Sequence, residues 1–310
     1  MPEPLDPEMF HILLDSLPTA VYVVDRNGKI LFWNQGAERI TGHLRHEVLG
    51  HSRSNSILTQ CNEVSCPACG EECPFSNARK EGKPRELRLA LHHKLGHSLP
   101  VVFRITPLRD PQGSIIYVAG SFEEQRRREG DRNQRTTIPQ ACLDESGVAN
   151  RELIQFHLRK NLAGFAEHQL PFSVLCIELD QFDHLRTTYG REASDAMARA
   201  VAETLRDSLR PSDFVGRWAE DQFLVILSNC GSLGVQKAGE RIHRMVTNAG
   251  IHWWGDWLRA ITFMGHAAAQ TGDTVHSLMQ RAQPRGRPVT SELAAAGTGA
   301  ASPETNPSGG

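Results

Sequence analysis

The sequence predicts two successive domains: an α+β domain with an antiparallel sheet and small helices, followed by an α/β domain. Its 310 residues are enough for two ordinary hydrophobic cores. Short apolar runs separated by turn residues occur in the first third of the chain, which is typical of antiparallel strands. From about residue 150 onward, helical and strand patterns alternate, which favours an α/β arrangement.

The first domain begins its sheet with a predicted hairpin. Ala20–Val24 and Lys29–Trp33 are apolar strands joined by Asp25-Arg-Asn-Gly28, and Asn-Gly is a strong hairpin signal. A short helix is predicted at Gly36–Gly42. The later strands are predicted at Leu87–His92, Leu99–Ile105 and Ile115–Ser121. Five strands with small helices between them fit one antiparallel sheet with an open face.

Amphipathic helices and apolar strands alternate through the second domain. The helices are predicted at Arg151–Glu167, Glu192–Leu209 and Gly234–Ala249. The strands are predicted at Phe172–Leu179, Phe223–Leu227 and Leu258–Ala269. Because Phe223–Leu227 follows a polar turn, it is predicted to be the second strand of a hairpin.

Two polar segments set the domain limits. Residues 124–142 contain few apolar side chains. A coiled coil needs apolar a and d positions, so this segment is predicted to be a solvated charged linker. Residues 285–310 are rich in Gly, Ala, Ser, Thr and Pro and are predicted to be a disordered tail. The domains are therefore predicted at residues 8–123 and 143–284.

Composition argues against several classes of partner. The formal net charge is -2, so no overall field favours nucleic acid or an anionic membrane. No apolar run approaches the roughly 20 residues that cross a bilayer. The start of the chain is acidic where a secretion signal would be basic. The sequence therefore predicts a cytoplasmic protein with no membrane span and no nucleic-acid partner.

The first domain resembles PAS sensor domains. The motifs that carry the resemblance are Asp25-x-x-Gly28, Asn34, Thr41-Gly42, Gly96-His97-x-x-Pro100 and Asp110-x-x-Gly113, in that order. Each motif is short, but their order over about a hundred residues is specific. The resemblance covers residues 8–123 and implies a domain that senses a signal.

The second domain resembles the GGDEF family of diguanylate cyclases, which join two GTP molecules into cyclic di-GMP. The family's hairpin turn reads Gly-Gly-Asp/Glu-Glu-Phe, and this chain has Ala219-Glu220-Asp221-Gln222-Phe223 at that place. The resemblance implies a nucleotide-cyclase fold. Both glycines, which allow close approach of the backbone to a nucleotide, are replaced.

Other site positions depart from that family as well. Glu178 stands where the family has a metal-binding Asp, and Asp195 matches its guanine-side Asp. Asp183 replaces a lysine, and Arg186 replaces a guanine-reading Asn. Asp183 and Glu220 bring two negative charges toward a triphosphate, and one such contact near 4 Å costs about 4 kcal/mol at an effective dielectric of 20. Arg186 is a nearby positive charge that can compensate.

We therefore predict that the cyclase site is vestigial. Its remaining acids are Glu178 and Asp221, while Gln222 lacks the charge of the family's second turn acid. Glu178 and Asp221 could still ligate Mg²⁺, which only an active site would need.

Arg210 and Asp213 form an Arg-x-x-Asp pair five residues before the turn. In the GGDEF family this pair binds the product as a feedback inhibitor. An arginine fork pairs with phosphate or a guanine edge, and a carboxylate accepts from guanine N–H groups. We therefore expect cyclic di-GMP at Arg210 and Asp213, with Asp195 as a further guanine contact. The alternative for the pair is a solvated helix end with a weak ion pair.

Four cysteines, Cys61, Cys66, Cys69 and Cys73, crowd into a predicted insertion at residues 61–73 of the first domain. Four thiols at this spacing are enough for a tetrahedral zinc site or an iron–sulfur cluster. Reversible redox sensing and inert reduced thiols are the alternatives.

Three histidines lie near a turn of the first domain, at positions 92, 93 and 97. The sequence predicts that His92, His93 and His97 are surface strand and turn residues and not ligands.

The sequence therefore favours an intracellular signalling protein with a PAS-like sensor and a cyclase-like domain that has lost its activity. A homodimer is expected. Three functions stay open for the second domain: a receptor for cyclic di-GMP, an active diguanylate cyclase, and a dimerisation scaffold that binds no nucleotide.

Overall fold

The computed structural model describes residues 6–52, 60–61, 74–124 and 138–284. Most of the predicted linker (residues 125–137) and the predicted tail (residues 285–310) lie outside these ranges. Within the described residues, no helix combines the length and apolar character needed to cross a membrane.

The N-terminal domain is one antiparallel sheet of six strands with helices around it. The strand order is β2-β1-β6-β5-β4-β3. The strands are β1 (Ala20–Val24), β2 (Ile30–Trp33), β3 (Gln60–Cys61), β4 (Arg85–His92), β5 (Ser98–Arg109) and β6 (Ile115–Glu124). The helices are α1 (Pro7–Ser16), α2 (Gln35–Thr41), α3 (Arg45–Val48) and α4 (Pro74–Glu81).

All five predicted strands of this sheet are confirmed, and β3 is an addition. Cys61 pairs with Ala90 of β4, so the first residue of the predicted insertion lies in a short strand. A two-residue strand has too little pattern to be read from the sequence. The core on the inner face contains Tyr22, Trp33 and Phe103, all fully buried.

The C-terminal domain has a four-stranded antiparallel sheet in the order β12-β7-β9-β8 and a separate β10-β11 hairpin. The strands are β7 (Phe172–Leu179), β8 (Phe214–Ala219), β9 (Gln222–Ser228), β10 (Gly250–Trp253), β11 (Asp256–Arg259) and β12 (Thr262–Ala268). The helices are α5 (Arg151–His168), α6 (Phe182–Tyr189), α7 (Arg191–Ser208), α8 (Ser232–Thr247) and α9 (Val275–Ala282).

Both faces of this sheet are covered by helices. One apolar core includes buried residues of α7 and α8, and the other includes buried residues of α5 and α9. The central strand β7 is therefore buried along almost its whole length, which is why its sequence reads as a continuous apolar run.

The single strand predicted at Leu258–Ala269 is wrong, because the chain forms two strands there. The N–H of Ala260 donates to the carbonyl of Ala249 at 2.9 Å, and the carbonyl of Ile261 accepts from the N–H of Asp180 at 2.8 Å. The backbone of this segment thus stops pairing on the β10 side at Ala260 and begins pairing on the β7 side at Ile261. Both halves are apolar, so the sequence pattern does not register the change of partner.

Candidate functional site

The β8–β9 turn is held by Arg217 of β8. Its Nε donates to the carbonyl of Ala219 at 2.9 Å, and its Nη2 donates to the carbonyl of Glu220. The guanidinium also lies over the ring of Phe223, 4.5 Å from the centroid. Burial lowers the pKa of Arg217, and the nearby carboxylates of Asp144, Asp221, Asp195 and Glu220 act in the opposite direction. One half-buried cation therefore fixes the turn and lies near a group of acids.

Arg186 of α6 bridges the two acids that replace family residues. Its Nη1 lies 2.8 Å from Oε2 of Glu220, and its Nη2 lies 2.8 Å from Oδ1 of Asp183. The compensation predicted for Arg186 is present as two direct ion pairs. Both hydrogen-bonding ends of this guanidinium are engaged within the protein.

A cavity of about 460 Å³ opens beside the turn and is called here the hairpin cavity. The charged residues that line it are Asp144, Glu145, Arg151, Arg186, Arg191, Asp195, Arg217 and Glu220. Asp195, on α7, has its Oδ2 3.6 Å from Nε of Arg191. The cavity therefore has mixed charge, with four arginines and four acids among its lining residues.

Glu178 and Gln222 face each other across β7 and β9. Nε2 of Gln222 donates to Oε2 of Glu178 at 3.2 Å. An amide thus stands where the family has its second turn acid, and it engages the acid of the neighbouring strand. Within the described residues, no three or more His, Cys, Asp or Glu side chains are grouped to hold a metal ion.

The acids Glu178 and Asp221 lie near one buried thiol. Burial first, and then the charges of Glu178 and Asp221, raise the pKa of Cys176 to about 12. Both carboxylates are therefore within electrostatic reach of the same interior point on β7. The two predicted vestigial acids come together, while the carboxylate of Asp195 lines the hairpin cavity.

Arg210 and Asp213 lie in the turn between α7 and β8 and are not among the residues that line the hairpin cavity. Asp213 holds this turn: its Oδ2 accepts from the N–H of Arg210 at 3.0 Å, and its Oδ1 accepts from the N–H of Ser228 at 3.3 Å. The side chain of Arg210 is exposed. The predicted ligand residues thus fall in two places, with Asp195 apart from the pair.

Arg241 of α8 joins this pair and was missed by the sequence analysis. Its Nη1 donates to the carbonyl of Ser208 at 2.7 Å. Burial lowers the pKa of Arg241; the nearby charge of Arg210 lowers it further, whereas Asp213 raises it. The three side chains therefore lie within electrostatic reach of one another. Nothing in the local sequence indicates this, because Arg241 is 28 residues after Asp213.

Comparison with known families agrees with these two architectures. Residues 8–124 match the family model of the PAS fold. Residues 144–285 match the family model described as the GGDEF domain of diguanylate cyclases. The chain carries a PAS domain followed by a GGDEF domain. It therefore combines two domains of cyclic di-GMP signalling proteins.

Among curated proteins, the chain is similar to two longer signalling proteins. It is 29% identical over 253 residues to the probable diguanylate cyclase DgcE of Escherichia coli, covering 80% of this chain and 22% of that protein. It is 23% identical over 248 residues to the cyclic di-GMP phosphodiesterase PdeB of Shewanella oneidensis, covering 78% of this chain and 27% of that protein. The chain thus spans about a quarter of the length of these relatives.

Two solved structures are similar to the GGDEF domain. The GGDEF domain of FimX from Pseudomonas aeruginosa is 18% identical, with a TM-score of 0.44, and the match covers 46% of this chain and 88% of that one. The GGDEF domain of DgcB from Caulobacter crescentus, in complex with c-di-GMP, is 23% identical, with a TM-score of 0.44. The match covers 47% of this chain and 88% of that one.

The cysteine cluster belongs to the PAS domain. Cys61 is the second residue of β3, whereas Cys66, Cys69 and Cys73 lie outside the described residues. Zinc, an iron–sulfur cluster and redox chemistry at these four thiols stay predictions.

Proposed function

We propose that the GGDEF domain of this chain is a receptor for cyclic di-GMP, controlled by the PAS domain, and that its hairpin cavity no longer makes the dinucleotide. The observation that carries the proposal is the contrast between two sites. Acids of the hairpin cavity form ion pairs with arginines of the same chain. The surface at Arg210, Asp213 and Arg241 instead presents an exposed arginine beside a second arginine and a carboxylate.

The loss of synthesis follows from the charges at the turn. A triphosphate approaching Glu220 and Asp183 meets two carboxylates, and Arg186 is already bonded to both at 2.8 Å. If Arg186 turned to the phosphates, it would leave two uncompensated acids beside them. One such repulsion near 4 Å costs about 4 kcal/mol at an effective dielectric of 20. Gln222 also replaces a carboxylate of the family's turn, which could ligate a metal ion, with a neutral amide.

Receptor function follows from the chemistry of the surface site. Cyclic di-GMP offers two phosphates and two guanine bases. A guanidinium pairs bidentately with a phosphate or with O6 and N7 of guanine. The N–H groups of Arg210 and Ser228 hold the Asp213 carboxylate in the turn beside Arg210, and a carboxylate is an acceptor for guanine N–H groups.

Two experiments on the full chain test the proposal. Calorimetric titration with cyclic di-GMP is expected to give a Kd at or below about 1 μM, which corresponds to about -8 kcal/mol. Incubation with GTP and Mg²⁺, followed by chromatography, is expected to give no cyclic di-GMP above a control without protein.

The outcomes separate the candidate functions. Binding without synthesis supports the receptor. Synthesis would identify an active cyclase and overturn the loss of activity. Absence of heat at 100-fold excess of ligand, together with absence of synthesis, would favour the dimerisation scaffold.

A further inference from the structure

The turn between β4 and β5 of the PAS domain reaches into the GGDEF domain. The carbonyl of Gly96 accepts from the N–H of Gly250 at 3.0 Å. Two residues later, the N–H of Ser98 donates to Oγ1 of Thr204 at 3.0 Å. Ser98 and Thr204 are both fully buried. These bonds join the start of β5 to α7 and β10, so the domains contact each other directly, and the charged linker is not their sole physical connection.

The contact at Gly96 leaves no room for a side chain. Gly96 has φ +93°, and a Cβ on it would lie 1.8 Å from the carbonyl oxygen of Gly250. A Cβ on Gly250 would in turn lie 2.5 Å from the carbonyl oxygen of Leu258. The two glycines therefore allow the backbones of the two domains to touch. Gly113, in the next turn of the PAS sheet, has φ +86° but open space around it.

Histidines flank this contact on both sides. The ring of His92 lies edge-on to Trp257 of β11, with centroids 5.6 Å apart. His252 of β10 also lies beside Trp257, with ring centroids 4.6 Å apart. The rings of His93 and His97 stack at 4.2 Å. His92 ends β4, and His93 and His97 lie in the turn before β5, so the predicted strand and turn positions are confirmed; all three side chains are half-buried.

The groups that face His92 and His97 favour the neutral rings. Burial first, and then the charges of Arg259 and His252, lower the pKa of His92 to about 4. Burial first, and then His93 and Arg206, lower the pKa of His97 to about 3. Arg206 and Arg259 are residues of the GGDEF domain, so docking itself brings positive charge toward both rings.

The remaining charged groups of the turn lie within the PAS domain or are paired. Burial first, and then His43 of the PAS domain, lower the pKa of His93 to about 4. Lys94 is bonded to Glu47 at 2.5 Å. Arg206 is paired with Glu203 of its own helix. The charged group that shifts the pKa of His93 therefore belongs to the PAS domain. The pKa values of His92 and His97, by contrast, depend on charged groups of the GGDEF domain as well.

We propose that the β4–β5 turn is an acid-released latch, which holds the PAS domain on the GGDEF domain while His92 and His97 are neutral and lets it go when they are protonated. The latch goes beyond the proposed receptor function and does not depend on it.

The sign of the pH dependence follows from the lowered pKa values. Docking favours the neutral rings, so its full strength is present above the ordinary histidine pKa of about 6.5 and is lost as pH falls below that value. Protonation of each ring can lower the equilibrium constant for docking by up to about tenfold between pH 6.5 and pH 5.5. At pH 5.5 the combined loss is up to about a hundredfold.

Helix α7 connects the latch to the hairpin cavity. Thr204, near its C-terminal end, bonds the latch, and Asp195, near its N-terminal end, lines the cavity. Nine residues at 1.5 Å each separate them by about 14 Å. A change at the PAS turn can therefore reach the cavity through one rigid element.

Hydrogen exchange of the full chain, followed by mass spectrometry and corrected for the intrinsic pH effect, tests the latch. The reporters are the amides of Ser98 and Gly250, and the sheet amides of β5–β6 and β7–β9 report whether each domain stays folded. Between pH 7.5 and pH 5.5 the two reporters are expected to lose protection while the sheets keep theirs. Unchanged protection of both reporters would overturn the proposal.

Variants identify the cause. Gly96→Ala is expected to remove the protection of the reporter amides already at pH 7.5. Gly113→Ala introduces the same backbone strain, but its Cβ meets open space, so the reporter amides are expected to stay protected. His92→Gln combined with His97→Gln is expected to keep the reporters closed at pH 5.5, because glutamine takes up no proton. If these amides are already unprotected at pH 7.5 in the double variant, the two single variants are measured instead. Each is then expected to show about half the wild-type change in protection per pH unit. Wild-type pH dependence in the glutamine variants, or a closed latch in Gly96→Ala, contradicts the latch.

Discussion

Arg186 is bonded to Glu220 across the hairpin cavity, with 2.8 Å between Nη1 and Oε2, while its other terminal nitrogen holds Asp183. The same guanidinium thus pairs with both acids that stand where the GGDEF family has a lysine and a glycine. Its side chain is 43% exposed, and those of Asp183 and Glu220 are 85% and 77% exposed. The arrangement is therefore a solvated charge triad, whose effect on stability is small.

Arg186→Ala is expected to lower the free energy of unfolding by no more than about 1 kcal/mol, because exposed ion pairs contribute about 0 to 1 kcal/mol. Chemical denaturation measures the change. A double-mutant cycle with Glu220→Gln is expected to give a coupling energy of about 0.2 to 1 kcal/mol that decreases in high salt. A coupling above about 2 kcal/mol would contradict the solvated triad.

Arg217→Ala is expected to be much more destabilising, by about 2 kcal/mol or more. The substitution removes two charge-assisted bonds to turn carbonyls and the contact with Phe223. Arg159→Ala, at an exposed position of α5, is the matched control and is expected to stay within about 0.5 kcal/mol of wild type. Equal midpoints of thermal unfolding for the two variants would contradict this role for Arg217.

Arg210→Ala is expected to weaken binding of cyclic di-GMP tenfold or more, because a hydrogen bond to a charged group contributes about 1.5 to 3 kcal/mol. Arg241→Ala is expected to weaken it as well, and Arg159→Ala is expected to leave the Kd unchanged. Calorimetry measures all three. Since Asp213 also holds the turn, Asp213→Asn is expected to lower both affinity and stability. Affinity that is indifferent to Arg210 would rule out this surface as the binding site.

Asp221→Ala tests the loss of synthesis. Wild type and variant are both expected to give only the background level of cyclic di-GMP with GTP and Mg²⁺. The physical reason is the paired acid at Glu220 and the amide at Gln222. Turnover by wild type that disappears in Asp221→Ala would show that the site is active.

Metal analysis tests the cysteine cluster. Protein purified without chelator is expected to contain zinc or iron at about one equivalent per chain, because four thiols at this spacing match the ligand number of both kinds of site. Replacement of Cys66 and Cys69 by serine is expected to remove the metal. A folded PAS domain free of metal would leave thiol redox chemistry or no role for these cysteines.

The sequence by itself determined the order of the two domains, most of their strands, four of the nine α-helices in the described residues, and the altered residues of the turn. Alternating patterns, turn residues and apolar runs depend on neighbours along the chain, so they can be read locally. The continuous apolar run at Phe172–Leu179 predicts a buried strand, and the structure has one there.

Only the tertiary structure decided which distant residues meet. It brought Arg241 to Arg210 and Asp213, bonded Arg186 to Glu220, split Leu258–Ala269 between two partners, and covered His92 and His97 with the second domain. Each of these contacts joins segments that are far apart in the sequence or belong to different elements. Their partners are set by how whole elements pack, and a local pattern carries no information about that packing.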